Sequence, residues 1–292
     1  MTETSRVKSK LAILTTSQHD RDVVGLRYVY PVVSRRAKGV SIGINLNYDN
    51  KCNWRCVYCQ VTGLKRGAAP EVDLVQLEDE LNVFVDALDN RGFLEHHVPE
   101  AARRLSDIAI SGNGEPTGSP QFREVIELLA RLRLQHRALS ALPVILITNG
   151  SLADRANVRD SISRLAAMNG RVWFKLDSGS NAGMRRNNSC STTLSRHLFR
   201  LAAVARLCPT YVQSCWFRRA GLEPNEGEVH GYVEALAGLH REGIPIRGVQ
   251  LYTLARASSQ PESVDLAPVT REWLNRLAAR LAQVGLCVEV VV

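Results

Sequence analysis

Residues 40–59 read VSIGINLNYDNKCNWRCVYC and join a strand pattern to a loop with three cysteines. Side chains alternate between the two faces of a strand, so the strand predicted over 40–47 has one apolar and one polar face. The apolar face carries Ile42, Ile44 and Leu46, and the polar face carries Ser41, Gly43, Asn45 and Asn47. The cysteines Cys52, Cys56 and Cys59 follow directly. Barrel enzymes place their chemistry at this point, after the carboxyl end of a strand.

The strand pattern recurs five times, and helical segments with apolar residues at three-and-four spacing separate the strands. The further strands are predicted at 106–111, 143–149, 171–177, 210–217 and 246–254. Repeated strand-helix alternation predicts parallel strands with crossover helices. Six units favour an α/β fold, a partial (β/α)6 barrel of the TIM-like type. A closed barrel is filled by branched apolar side chains, so the polar strand faces predict an open cavity lined for a ligand.

The composition, 45% hydrophobic and 23% charged in 292 residues, is typical of a globular protein. We expect an N-terminal extension (1–38) packed on a barrel domain (39–292) that ends in a helix and a strand. The sequence shows no membrane span and no secretion signal, so we expect a cytoplasmic protein without a membrane partner. The net charge of +8 favours anionic partners, RNA or phosphate-bearing small molecules, but it also suits solvated helix faces.

Seven cysteines, an odd number in a cytosolic chain, favour metal binding or catalysis over disulfide bonds. The Cys-x3-Cys-x2-Cys spacing places three thiolates around one point and supplies no fourth ligand. Structural zinc sites use four ligands, whereas a 4Fe-4S cluster held by three cysteines has one iron with an open position. The spacing favours such a cluster. A zinc site completed by a distant ligand, an electron-transfer centre and a chance grouping are the alternatives.

Polar residues at further strand ends suit a bound ligand. The segment Ser111–Pro116 has glycines that allow close backbone approach, and its Glu115 can accept charge-assisted hydrogen bonds from an ammonium group. Asn149 could bind a ribose or carboxylate. Lys175 and Asp177 are two residues apart, so we expect both to face the cavity. An ordinary glycine-rich turn and an ion pair without a ligand are the alternatives.

This combination resembles the signature of the radical S-adenosylmethionine (radical SAM) superfamily, including the aromatic Tyr58 before the third cysteine. In that family the open iron of a 4Fe-4S cluster binds SAM, and an electron from the reduced cluster cleaves SAM to methionine and a 5′-deoxyadenosyl radical. The radical abstracts hydrogen from a substrate. The resemblance implies a partial barrel of the radical SAM type, with Cys52, Cys56 and Cys59 as cluster ligands.

The resemblance also implies a SAM site. Glu115 would bind the ammonium group, although Asn113 interrupts the usual paired glycines of this motif. Asn149, Lys175 and Asp177 would bind the carboxylate or ribose. The other residues implied in cofactor binding are Tyr58, Gly112, Asn113, Gly114, Gln213, Gln250 and Tyr252.

Over residues 28–256 the order of motifs is similar to that of radical SAM proteins related to the wybutosine-synthesis enzyme of tRNA modification. That enzyme uses further cysteines near its N-terminus for a second cluster, and this chain has none before Cys52. The remaining cysteines lack the spacing of an auxiliary cluster, and most are expected to be packed thiols: Cys190, Cys208, Cys215 and Cys287.

Arginine doublets are candidate contacts for an anionic substrate, because guanidinium groups bind phosphate or carboxylate in a bidentate manner. The candidates are Arg35, Arg36, Arg185, Arg186, Arg218 and Arg219. A solvated surface is the alternative. We therefore expect a radical SAM oxidoreductase with a small-molecule or nucleotide-like substrate and an electron donor such as flavodoxin or ferredoxin. An RNA-modifying radical SAM enzyme and a non-enzymatic iron-sulfur or zinc protein are the alternatives.

Overall fold

The computed structural model describes residues 13–15, 24–34 and 39–291. The strands are β1 (Val29–Ser34), β2 (Gly39–Ile44), β3 (Lys51–Cys52), β4 (Lys65–Arg66), β5 (Leu105–Ile110), β6 (Val144–Thr148), β7 (Gly170–Lys175), β8 (Thr210–Cys215), β9 (Phe217–Arg219), β10 (Ile246–Tyr252), β11 (Leu266–Pro268) and β12 (Val288–Val291). The α-helices are α1 (Leu74–Asn90), α2 (Phe93–His97), α3 (Phe122–Gln135), α4 (Arg137–Ser140), α5 (Ala156–Ala166), α6 (Asn181–Asn188), α7 (Leu194–Leu207), α8 (Glu226–Arg241) and α9 (Arg271–Gln283).

Eight strands form one sheet in the order β1-β2-β5-β6-β7-β8-β10-β12. The strands from β2 to β12 are parallel, and β1 pairs antiparallel with β2. Within the described part of the chain, β1 and β12 do not pair with each other, so the sheet is an open, curled half-barrel. The prediction of a partial barrel is confirmed, and all six predicted strands are present in the predicted order.

The two faces of the sheet differ in polarity, as the alternation predicted. Apolar strand residues pack against the helices in one continuous core. Helix residues placed there by their spacing are almost fully buried: Leu77, Leu81, Phe84, Val125 and Leu129. The opposite face lines a cavity of about 350 Å³, whose wall includes Ser41, Trp173, Lys175 and Gln213. No helix in the described ranges has the length and apolar character required to cross a bilayer.

The antiparallel edge strand β1 is attached through a buried carboxylate. Glu80 of α1 is 3% exposed and accepts hydrogen bonds from the backbone N–H groups of Arg27 (3.0 Å), Tyr28 (2.7 Å) and Val29 (3.1 Å). These N–H groups lie at the start of β1, where the chain enters the sheet. A buried donor without a partner is costly, so Glu80 fixes both the position and the direction of β1.

We expect Glu80→Gln to lower the free energy of unfolding by about 1–3 kcal/mol, because the amide NH2 cannot accept from a backbone donor. Urea unfolding followed by circular dichroism measures this change. Glu127→Gln, which alters an exposed carboxylate, is the matched control and should stay within about 0.5 kcal/mol of the parent protein. Equal stabilities of the two variants would contradict this role of Glu80.

Candidate active site at the carboxyl edge of the sheet

The three motif cysteines lie on a loop that follows the carboxyl end of β2. Cys52 is in β3 and pairs opposite Arg66 of β4. Cys56 and Cys59 lie in a turn in which the N–H of Cys59 donates to the carbonyl of Cys56 at 2.9 Å. All three thiols are free and half-buried, and all three residues line the cavity over the polar face of the sheet. The structure therefore brings the cysteines to the predicted ligand cavity.

Three free thiols around one cavity are a donor set that an iron-sulfur cluster can use, because the thiolates of a 4Fe-4S cluster bind different irons and so surround a volume. Among the described residues, no group of three His, Cys, Asp or Glu side chains forms a site for a single metal ion.

Two of the motif thiols, those of Cys52 and Cys56, are protonated at neutral pH in the chain without a metal. Burial raises the pKa of Cys52 to about 11 and that of Cys56 to about 12, although Lys175 opposes the rise at both. Thiolate is the form that binds metals, so cluster assembly must release these protons.

Residues 258–262, a segment far from the cysteine loop in sequence, bond to that loop. The hydroxyl of Ser258 donates to the carbonyls of Val57 (2.7 Å) and Cys59 (3.0 Å). Arg55 forms a bidentate ion pair with Glu262 at 2.8 and 2.6 Å, and this contact keeps the pKa of Glu262 below its usual value. No sequence motif marks this segment, whose role depends entirely on tertiary contact.

Glu115 is a buried carboxylate, 3% exposed, at the wall of the same cavity. Its Oε1 accepts from the N–H of Thr117 (3.1 Å) and from the hydroxyls of Thr117 and Thr148 (both 2.6 Å). Its Oε2 accepts one bond, from the N–H of Asn149 at 2.6 Å. Burial raises the pKa of Glu115, and these donors oppose the rise. Because Oε2 has one hydrogen-bond partner among the described residues, it retains capacity for a further donor.

Gly112 and Gly114 are required by packing within the protein. A Cβ at Gly112 would lie 2.1 Å from Oδ1 of Asn45, and one at Gly114 would lie 2.1 Å from the carbonyl oxygen of Lys51. The N–H of Asn113 also donates to Asn45 Oδ1, at 3.0 Å. The Cβ side of each glycine therefore faces residues that lead into the cysteine loop. Gly112, Asn113 and Gly114 all line the cavity.

Asn149 joins the Glu115 segment to the cysteine loop. Its side-chain NH2 donates to Oδ1 of Asn53 at 2.9 Å, and its own Oδ1 accepts from the N–H of Ser151 at 2.9 Å. It also lines the cavity. Asn149 thus connects the loop after β6 to the cysteine loop after β2.

Lys175 lines the cavity, whereas Asp177 does not. The ammonium group of Lys175 donates to the hydroxyl of Tyr58 at 2.8 Å and lies 3.9 Å from Asp177 Oδ2. The Asp177 side chain is fully buried and accepts from Tyr58, from Asn188 (2.8 Å) and from the N–H of Cys215 (2.9 Å). The expectation that both residues face the cavity is corrected for Asp177. β7 ends at Lys175, so strand alternation does not extend to Asp177.

A ladder of side-chain amides crosses the last strands. Gln213 donates to Gln250 at 3.0 Å, and Gln250 donates to Glu289 at 3.3 Å. These residues are directly opposite one another in β8, β10 and β12. Gln213 and Tyr252 line the cavity, whereas Gln250 lies outside the lining.

The arginine doublets in the described ranges do not line the cavity. Arg186 pairs with Glu228, and Arg185 is exposed on α6. Arg218 donates to the carbonyl of Pro268 at 3.1 Å, and Arg219 lies beside the ring of Phe217. Their contact with a substrate at the rim stays a prediction. Arg35 and Arg36 lie outside the described residues.

His197 was missed by sequence analysis. It is 0% exposed on α7, and its Nε2 bonds the carbonyl of Lys175 at 2.8 Å. Its ring lies 5.5 Å from that of Trp54 in the cysteine loop and 4.9 Å from that of Phe174. Burial lowers the pKa of His197 to about 4. The only available signal was its position on the apolar face of a predicted helix.

Comparisons with solved structures identify the fold. A radical SAM methyltransferase from Sphaerobacter thermophilus superposes with a TM-score of 0.54 at 17% identity, covering 86% of this chain and 66% of the other. A mutant spore photoproduct lyase superposes with a TM-score of 0.55 at 12% identity, covering 83% of this chain and 74% of the other. The chain has the radical SAM partial-barrel fold. At these identities the likeness concerns the fold alone, and no family model matches the sequence.

Curated relatives match about half of this chain. A UPF0026 protein from Synechocystis is 26% identical over 150 residues, 51% of this chain and 48% of the relative. A UPF0026 protein from Methanocaldococcus jannaschii is 29% identical over 148 residues, which are 51% of this chain and 39% of the relative. The GTPase Obg of Brachyspira hyodysenteriae is 23% identical over 161 residues, 55% and 21%. The matched region thus spans less than half of each relative.

His197 predicts a pH dependence of stability. Its pKa is about 4 in the folded chain and 6.5 in a free side chain, so below pH 6.5 the unfolded chain takes up a proton that the folded chain does not. Stability is therefore lost as pH falls from 6.5 towards 4, by up to about 3 kcal/mol. In His197→Gln we expect urea unfolding to show a smaller loss over this range.

His230→Gln is the matched control, because His230 is exposed on a helix surface. It should keep the pH profile of the parent protein. If His197→Gln also kept that profile, His197 would not be neutral through burial.

Proposed function

We propose that this protein is a radical SAM enzyme that cleaves SAM reductively and abstracts hydrogen from a small-molecule or nucleotide-like substrate. One observation carries the proposal: the three motif cysteines and Glu115 line a single cavity at the carboxyl edge of a partial barrel. A protein that only transfers electrons or holds zinc has no need of a buried carboxylate and an ammonium group in the cavity beside its thiols.

Cys52, Cys56 and Cys59 would hold a 4Fe-4S cluster whose open iron binds SAM. When bound and reduced, the cluster would supply the electron for the reductive cleavage of SAM. The protein's own part is to hold the thiolates in place, through Ser258 and the Arg55–Glu262 pair. The half-barrel wall also limits access of water to the reacting atoms.

The cavity offers both charges that the methionine end of SAM requires. Glu115 is assigned to the ammonium group, because its Oε2 retains acceptor capacity. Lys175 is assigned to the carboxylate, and the hydroxyl of Tyr58 holds its ammonium group at the wall. Asn149 is assigned to the carboxylate or ribose. Asp177 does not line the cavity and contacts Tyr58 and Lys175, so we treat it as a positioning residue.

The remaining wall supports a small substrate. Trp173 offers an aromatic surface and Gln213 an amide edge, and a cavity of about 350 Å³ lies in the range of small-ligand sites. The doublets Arg185–Arg186 and Arg218–Arg219 stand away from this wall, so the RNA alternative has only the net charge and the sequence motifs in its favour. Kinship with the wybutosine-related group rests on those motifs alone. The electron would come from a donor such as flavodoxin or ferredoxin.

We expect anaerobically reconstituted protein, given dithionite and SAM, to release 5′-deoxyadenosine, detected by liquid chromatography. Cys56→Ala should abolish this release, because the cluster loses one of its three ligands. Cys287→Ala, which removes an exposed thiol, is the control and should retain the activity. Retained cleavage in Cys56→Ala, or a reduced cluster that never cleaves SAM in the parent protein, would defeat the proposal.

Lys175→Met should weaken SAM binding by roughly ten- to a hundredfold, because a charge-assisted hydrogen bond contributes about 1.5–3 kcal/mol. Equilibrium dialysis with labelled SAM on reconstituted protein measures the affinity. Lys65→Met removes an exposed cation outside the cavity lining and should leave binding unchanged. Equal affinities in the two variants would remove Lys175 from the SAM site.

A further inference from the structure

Asn188, the last residue of α6, touches the sulfur of a predicted cluster ligand. It is 1% exposed, and its side-chain Nδ2 lies 3.3 Å from Sγ of Cys56. The same Nδ2 lies 2.8 Å from Oδ2 of Asp177. An amide NH2 has two protons, so it can donate to both acceptors at once. Nothing in the sequence distinguished this asparagine from its neighbours.

Asn188 and Asn187 also hold the backbone on both sides of Cys56. The N–H of Arg55 donates to the carbonyl of Asn188 at 3.1 Å, and the N–H of Val57 donates to the carbonyl of Asn187 at 2.9 Å. Three successive residues of the cysteine loop therefore bond to two successive residues of α6. This leaves the Cys56 sulfur little freedom to move away from the Asn188 amide.

Asp177 fixes the direction of that amide. Its carboxylate is fully buried and anchored at Oδ1 by the N–H of Cys215. By accepting one proton of the Asn188 NH2 at Oδ2, it turns the other proton towards sulfur. A buried carboxylate is costly unless it is hydrogen-bonded. This arrangement gives Asp177 a task that does not require it to face the cavity.

We infer that Asn188 sets the reduction potential of the cluster through its hydrogen bond to Cys56. This inference rests on the proposed function, because it requires a cluster on that thiolate. Reduction adds negative charge to the cluster and its sulfurs, and an N–H donor stabilises that charge. Hydrogen bonds to sulfur are among the determinants of iron-sulfur potentials. Asn188 therefore makes the cluster easier to reduce, and Asp177 is its positioning residue.

The test is a potentiometric titration of the reconstituted cluster, followed by electron paramagnetic resonance. In Asn188→Ala we expect about tenfold less reduced relative to oxidised cluster at a fixed potential, a shift of about 59 mV to more negative values. Asn188→Leu keeps the side-chain volume without a donor and should shift in the same direction. Asn157→Ala, which removes an exposed side-chain amide from α5, is the control and should keep the parent potential.

A measurement on the parent sequence decides the case even where the variants lose the cluster. With 15N in the asparagine side-chain amides, pulsed resonance of the reduced cluster should show coupling to one such nitrogen. Absence of that coupling, or an unshifted potential in a cluster-bearing Asn188 variant, would overturn the inference. A parent protein that assembles no cluster would instead refute the proposed function. If an Asn188 variant assembles a cluster that cleaves SAM at the parent potential, the inference about Asn188 is refuted and the proposed function is not.

Discussion

The cysteine loop has only the two-residue β3 as regular structure, so its shape depends on hydrogen bonds from elsewhere in the chain. Its backbone is bonded by α6 on one side and by residues 258–260 on the other. The ion pair of Arg55 with Glu262 closes the second contact. Because both supports come from elements more than 100 residues away in sequence, the conformation of the loop depends on the assembled half-barrel.

Two buried carboxylates near the strand ends have different roles. Glu115 lines the cavity and bonds the loops after β5 and β6 together through Thr117, Thr148 and Asn149. Asp177 stands behind the wall and bonds Tyr58, Asn188 and the backbone of β8. Each is surrounded by donors, which offset the cost of burying its charge. One is therefore available to a ligand, and the other is available only to the protein.

The fold was predictable because its signals are local and repeated. The alternation of apolar and polar residues over 40–47 and 171–177 predicted strands with a polar face, and that face lines the cavity. The cysteines and Glu115 were predictable because each follows a strand end, and the ends of parallel strands meet at one edge. Asp177 was misplaced for the opposite reason, because it lies just beyond the end of β7, where strand alternation no longer specifies the direction of a side chain.

The sequence by itself determined the half-barrel, its polar face and the candidate residues that line the cavity, because periodicity and motif spacing are properties of short segments. Tertiary structure alone decided which side chains face the cavity and which support it. Asn188 reaches Cys56 across 132 positions, and Ser258 reaches Val57 across 201. Contacts over such distances depend on how the helices and loops pack around the sheet, and no local pattern encodes them.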